Sequence, residues 1–178
     1  MDFLKLVKSR RSCRNYQSRP VEREIIERCL EAARMSPSAC NSQPWYFIVV
    51  KEKALKDDLA RKAVSGIHKM NAFAKDAPVL VVAVSDKSKY VAHLGGQARG
   101  TQYNLIDLGI ACQQFILGAQ AEGLGSCWLG WFNERAVKKV LKLKRTKKVN
   151  IIISLGYPKK ELLLPVKRKP LTKVSEFR

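Results

Sequence analysis

The hexapeptide Ser9-Arg10-Arg11-Ser12-Cys13-Arg14 gathers guanidinium forks and hydroxyls within a few positions of one another. Arginine carries a planar, permanent charge, so several of them beside a hydroxyl can surround a phosphate with short charge-assisted hydrogen bonds. Taken alone, the cluster is also compatible with a solvated basic face, because exposed charge costs little to maintain. A second stretch, Pro37-Ser38-Ala39-Cys40-Asn41-Ser42-Gln43-Pro44-Trp45, concentrates turn residues ahead of an aromatic run. Such a loop is either a satisfied turn or a rigid surface offering amide, hydroxyl and proline to a flat ligand. The third stretch, Gly123-Leu124-Gly125-Ser126-Cys127-Trp128-Leu129-Gly130, lacks the spacing of a dinucleotide fingerprint, and Trp131 stands where a phosphate-binding loop needs lysine. Gly95-Gly96-Gln97-Ala98-Arg99-Gly100 fits neither pattern.

Side-chain nucleophiles and metals find little support. The cysteines at 13, 29, 40, 112 and 127 form no CxxC pair, and His68 and His93 are too few for a metal cluster of recognisable spacing. Cys29 and Cys112 fall on apolar helical faces and are expected in the core. Cys13, Cys40 and Cys127 lie in the three stretches above, where they could touch a ligand without attacking it. No GxSxG elbow marks a serine hydrolase.

The elements that must position these loops follow from periodicity. Phe3, Leu6 and Val7 share a helical face that ends at the arginines, and Ile26, Cys29, Leu30 and Ala33 place a second helix over 21–35. Residues 45–50 and 78–84 are aromatic or β-branched runs that predict buried strands, with a third helix over about 53–66 and a polar loop containing Asn71 between them. A long helix is expected from about 98 to 122, apolar nearly all round at its end, closed by Gly123 and Gly125. A short strand over 126–132, a helix capped by Asn133 and a last strand over 149–155 complete an α+β domain that opens on two helices and lacks compact βαβ repeats. Leu162-Leu163-Leu164-Pro165-Val166 is too apolar for a free tail and the following Lys167-Arg168-Lys169 too charged for a core, so this segment should lie across a surface, a partner's included.

Length and composition agree with one ordinary domain: 178 residues, 46% hydrophobic. The 34 Lys and Arg against 15 Asp and Glu give +19, a balance that suits nucleic acid, an anionic surface or a phosphorylated ligand. With no RNA-binding aromatic motif or recognition helix in view, a nucleic-acid-binding role is the lesser alternative. No apolar run is long enough for a membrane span, and the odd cysteine count with a charged start points to the cytoplasm.

In order and spacing, the three stretches, together with Asp107-Leu108-Gly109-Ile110-Ala111, Leu155-Gly156-Tyr157-Pro158 and Arg168-Lys169-Pro170, resemble the FMN-dependent nitroreductase family over nearly the whole chain. The resemblance implies an α+β fold with a mixed sheet packed by helices, a single domain over 1–178, and an intertwined homodimer in which residues from about 159 to 178 extend over the partner. It implies FMN as cofactor and NAD(P)H as co-substrate, with a nitroaromatic, quinone or similar flat acceptor served by ping-pong turnover. A specialised relative acting in reductive dehalogenation or flavin modification is the alternative it leaves open. Arg10, Arg11 and Ser12 would then contact the phosphate and ribityl chain, Arg168 would add a phosphate contact, and Arg14 would face the N1–C2=O edge of the ring. Pro37, Ser38, Ala39 and Asn41 would cover the ring from the other subunit, while Leu129 and Gly130 would bring backbone amides near N5 and O4. Asn71 and Asp107 are further candidates for the pyrimidine edge. Hydride chemistry on a flavin needs no side-chain nucleophile, and no metal is implied.

Overall fold

The computed structural model describes residues 2–86, 100–160 and 167–178. Its elements run α1 (Phe3–Ser9), α2 (Arg23–Arg34), β1 (Trp45–Val50), α3 (Lys53–Ala63), β2 (Val79–Asp86), α4 (Tyr103–Ala121), β3 (Gly125–Leu129), α5 (Glu134–Val140) and β4 (Lys147–Gly156). Short 3-10 segments cover Ala39–Asn41, Gly66–Asp76 and Leu171–Lys173. The polar loop expected around Asn71 is thus the second of these segments, and the glycine cluster at 95–99 lies outside the described residues.

The strands form one sheet in the order β1-β2-β4-β3, every neighbour antiparallel. An isolated parallel bridge outside the strands, Ser12 to Ser126, lays the arginine stretch along the outer edge of β3. β2 reads as an unbroken apolar run because both its faces are covered. Leu80, Val82 and Val84 pack with Leu59, Ala63 and Val137 of α3 and α5, while Val79, Val81 and Ala83 pack with Ile26, Cys29, Leu108 and Phe115 of α2 and α4. The expected core positions of Cys29 and Cys112 are both fully buried.

Local chemistry sets the element ends. Asp2 accepts from the Leu4 N–H to start α1, Glu52 accepts from Ala54 and Leu55 to start α3, and Asn133 accepts from Ala136 to start α5. Gly123, at φ 75°, turns the chain out of α4 so that Leu124 N–H closes on Ala119 carbonyl at 2.8 Å.

Tyr16 ties the arginine stretch to the sheet. Its buried hydroxyl donates to the Cys13 carbonyl at 2.7 Å and lies 2.8 Å from Ser154 Oγ of β4. Tyr16→Phe should therefore destabilise the fold by about 1–3 kcal/mol, the cost of stranding those buried acceptors, as read by urea unfolding. Burial also pushes the phenol well above its ordinary range, against the help of Ser154. Because the folded value is raised, the stability this group adds is whole below the unfolded phenol near pH ~10 and drains away as pH climbs past it. In Tyr16→Phe that alkaline loss should be blunted.

Candidate functional site at the edge of strand β3

The site begins where α1 stops. Arg10 caps the helix, its N–H closing on the Leu6 carbonyl at 3.2 Å, and the chain then pairs with β3 through Cys13 N–H to Ser126 carbonyl at 2.9 Å. That pairing fixes the guanidinium stretch against the glycine-rich strand. Gly125 permits the approach: a Cβ there would fall 2.6 Å from Cys13 Cβ and 2.7 Å from Cys13 Sγ.

Three cations meet at this edge. Burial lowers the Arg10 pKa, and the neighbouring charges of Arg168 and Arg11 lower it further, so a residue far down the chain comes close to the first loop. Arg11 is steered by its own backbone, donating to the Lys8 and Arg10 carbonyls. Like charges held together form a receptor for an anion, and the exposed Ser12 sits beside them. Ser12 also lies close to the Cys127 thiol. Arg14 extends the cluster, its guanidinium 5.8 Å from the ring centroid of Phe73.

Along β3 the chain leaves the sheet at Leu129 and Gly130. Leu129 is buried, whereas Gly130 is exposed and a Cβ there would meet nothing within 4 Å. Open space over this backbone suits an approaching ring. Asn71 donates to the Trp131 carbonyl at 2.8 Å and Trp131 Nε1 donates to the Ile67 carbonyl at 3.2 Å, so the 66–76 segment pins the turn that follows Gly130. Beside that turn lies a cavity of about 510 Å³, bordered by Gly109, Trp128, Gly130, Trp131, Lys148 and Asn150 among others.

The loop from Pro37 to Pro44 is built separately. Cys40, Asn41 and Gln43 take left-handed φ of 53°, 50° and 45°, a conformation non-glycine residues rarely hold without support. The support is local: Ser38 Oγ accepts from Gln43 N–H at 2.9 Å, and Gln43 Nε2 donates to Asn41 Oδ1 at 3.1 Å. Buried Asp107 of α4 accepts from Ala39 N–H at 3.2 Å and anchors the loop. This contact was missed in the sequence, where Asp107 was a candidate for the pyrimidine edge. Asp107→Ala should leave the Ala39 N–H without its acceptor and cost about 1–3 kcal/mol in thermal or urea unfolding.

Within one chain, then, Arg10, Arg11, Ser12 and Arg168 come together, with Arg14 and the Leu129–Gly130 backbone on the same edge strand. Pro37, Ser38, Ala39 and Asn41 are held instead by α4. The thiols nearby are poor nucleophiles, since burial raises the pKa of both Cys13 and Cys127 despite the adjacent arginines. Among the described residues no group of His, Cys, Asp or Glu could hold a metal ion, and no helix is long and apolar enough to cross a membrane.

The chain is similar to known proteins over most of its length. An NADH dehydrogenase of Thermus thermophilus is 31% identical over 195 residues, spanning 95% of this chain and 92% of that protein. The solved structure of an FMN-dependent nitroreductase from Clostridium difficile R20291 is 30% identical with a TM-score of 0.73, covering 89% of each chain. Iodotyrosine deiodinase 1 of Pongo abelii is 26% identical over 97% of this chain and 67% of its own. The family profile described as the nitroreductase family matches residues 7–72 and 65–157. With its sheet, its arginine edge and these matches in agreement, the chain belongs to the nitroreductase family.

Proposed function

We propose that this protein is an FMN-dependent oxidoreductase that takes reducing equivalents from NAD(P)H and delivers them to a nitroaromatic, quinone or similar flat acceptor in ping-pong turnover. The observation that carries the reading is the meeting of Arg10, Arg11 and Arg168 at the β3 edge, because an anion placed among them would relieve their mutual repulsion. The residues present fit FMN: a basic receptor with a hydroxyl for its phosphate, and an unobstructed glycine backbone for its ring. When bound, FMN supplies hydride acceptance and two-electron storage.

The chain's own residues do the rest. Arg10, Arg11, Ser12 and Arg168 bind and orient the phosphate end, which fixes where the ring lies. Arg14 places a permanent cation on the ring side of the cluster and favours the electron-rich state of whatever it faces. Leu129 and Gly130 offer backbone N–H groups at the strand end, held in place by Asn71 through Trp131.

The site is completed by a second copy of the chain. α1 buries none of its residues and exposes Phe3, Leu4 and Val7, while α4 exposes Leu105 and Ile106, an apolar surface that suits a homodimer. The C-terminal segment also exposes Leu171, Val174 and Phe177, as a strap over a partner would. In the dimer the separately built Pro37–Asn41 loop covers the ring of the neighbouring site. The protein works in the cytoplasm, with no nucleic acid as ligand.

Purified protein should be yellow and show flavin absorption bands that bleach on addition of NADPH or NADH. Colourless protein that takes up no FMN on titration would overturn the proposal. The match to iodotyrosine deiodinase favours one second reading, reductive dehalogenation. Turnover of halogenated phenols exceeding that of quinones and nitroaromatics would select it.

A further inference from the structure

Residues 134–148 carry Arg135, Lys138, Lys139, Lys142, Lys144, Arg145, Lys147 and Lys148 against one acid, Glu134. Their placement is set by the fold. Leu141 and Leu143 pack against the core, so the intervening Lys142 and the following Lys144 point outward. Lys142 sits at φ 51° in the reversal from α5 to β4, closed by Leu143 N–H to Lys138 carbonyl at 2.9 Å. Glu134 is already shared by Lys138 and Lys148, and it also accepts from Val149 N–H at 3.2 Å. One carboxylate cannot neutralise the turn, which keeps an excess of positive charge.

Of this turn, Lys148 reaches the wall of the cavity beside the proposed flavin site, with its partner Glu134 next to it, and Lys142, Lys144 and Arg145 lie beyond the rim. Gly130 borders the cavity from the end of β3, while Lys148 and Asn150 border it from β4. Leu129 pairs with Ile152 in the sheet, and Lys147 lies five positions earlier on β4. At about 3.3 Å per residue, the basic turn is some ~16 Å from the strand end. That separation is on the scale of an extended nicotinamide dinucleotide.

We propose that the turn from Lys142 to Lys148 receives the 2′-phosphate of NADPH while the nicotinamide end reaches the Gly130 end of the cavity, so that the protein prefers NADPH to NADH. The inference rests on the flavin reading above and specifies its reductant. The extra phosphate adds about −1.5 to −2 of charge at pH 7, the one large difference between the two dinucleotides. Lysines suit this task as compact point charges on flexible stems, attracting the phosphate without a fixed fork. A nucleic-acid backbone would be drawn to the same charge but has no need of the adjoining cavity.

The test compares the wild-type holoprotein with Lys142→Gln/Lys144→Gln/Arg145→Gln, all exposed positions outside the flavin site. Adenosine 2′,5′-bisphosphate and 5′-AMP are titrated by calorimetry, and flavin reduction by NADPH and NADH is followed in stopped flow. Wild type should bind the bisphosphate more tightly and be reduced faster by NADPH at limiting concentration. The triple variant should lose about tenfold in both and change little toward 5′-AMP and NADH, and raised salt should mimic it for NADPH. Equal behaviour of the two dinucleotides in wild type, or an unchanged variant, overturns the inference while bound flavin and NADH turnover leave the flavin reading intact. So does a variant that loses only its retention of a single-stranded oligonucleotide. Protein that takes up no FMN, yet binds the bisphosphate through this turn, would sink the flavin reading instead.

Discussion

Gly125→Ala should disable the cofactor site without touching any residue that contacts cofactor. The new methyl carbon would fall 2.6 Å from Cys13 Cβ and 2.7 Å from its sulfur, closer than non-bonded carbons are found. Neither side yields easily. Cys13 is fully buried, its N–H is bound to Ser126 and its carbonyl to Tyr16, while Gly125 pairs with Gly156 of β4. Gly156 is crowded in turn, a Cβ there lying 2.5 Å from Pro78 Cδ, so the pair of glycines cannot shift as a unit. The strain must push the first loop off the strand and carry Arg10 and Ser12 away from Arg168. Overpacking costs roughly 1–3 kcal/mol in stability. FMN affinity should fall much further than that figure suggests for the fold, because several contacts move together. Unfolding midpoints and FMN titration check both parts; normal affinity in the variant would show that the β3 edge does not position the phosphate cluster.

How much of this could be read from the chain alone depended on whether the signal was local. β1 at Trp45–Val50 matches its run of residues, and α5 begins where Asn133 said it would, because patterning and a side-chain cap are both local facts. The sheet strands β2 and β4 run slightly beyond their apolar centres, to Asp86 and from Lys147, since backbone pairing continues past the residues that need burial. The third helix stops at Ala63 rather than near 66, and Gly66, at φ 60°, opens a 3-10 stretch where polar residues had suggested a plain loop. Arg168 was assigned to the phosphate only through family likeness; no spacing within the sequence links it to Arg10, which lies more than a hundred residues away. Asp107 is a second case. It too was assigned through family likeness, and what the sequence did not reveal is that it accepts from the Ala39 N–H of a loop distant in sequence. Tertiary hydrogen bonds of this kind have no periodic signature to betray them.

Arg168→Ala should weaken FMN binding and, in the same protein stripped of flavin, leave stability unchanged or raised. The two effects have one cause. Arg168 is exposed and donates to its neighbour's carbonyl, Lys167, at 3.3 Å, so removing the side chain opens no core. Its charge, however, depresses the pKa of Arg10, after burial and ahead of Arg11, which means the folded protein holds these cations together at a cost. A phosphate converts that cost into binding: each guanidinium then makes a charge-assisted hydrogen bond worth about 1.5–3 kcal/mol, or roughly ten- to a hundredfold in affinity. The sign for the bare protein is therefore opposite to the sign for the complex. Thermal unfolding of flavin-free wild type and variant, set against FMN titration of each, reads both. A variant destabilised without flavin would make Arg168 a structural residue, and one with unchanged FMN affinity would remove it from the site. Arg10→Ala should weaken FMN binding in the same way but offers a less clean contrast, because its partly buried stem also packs where α1 ends.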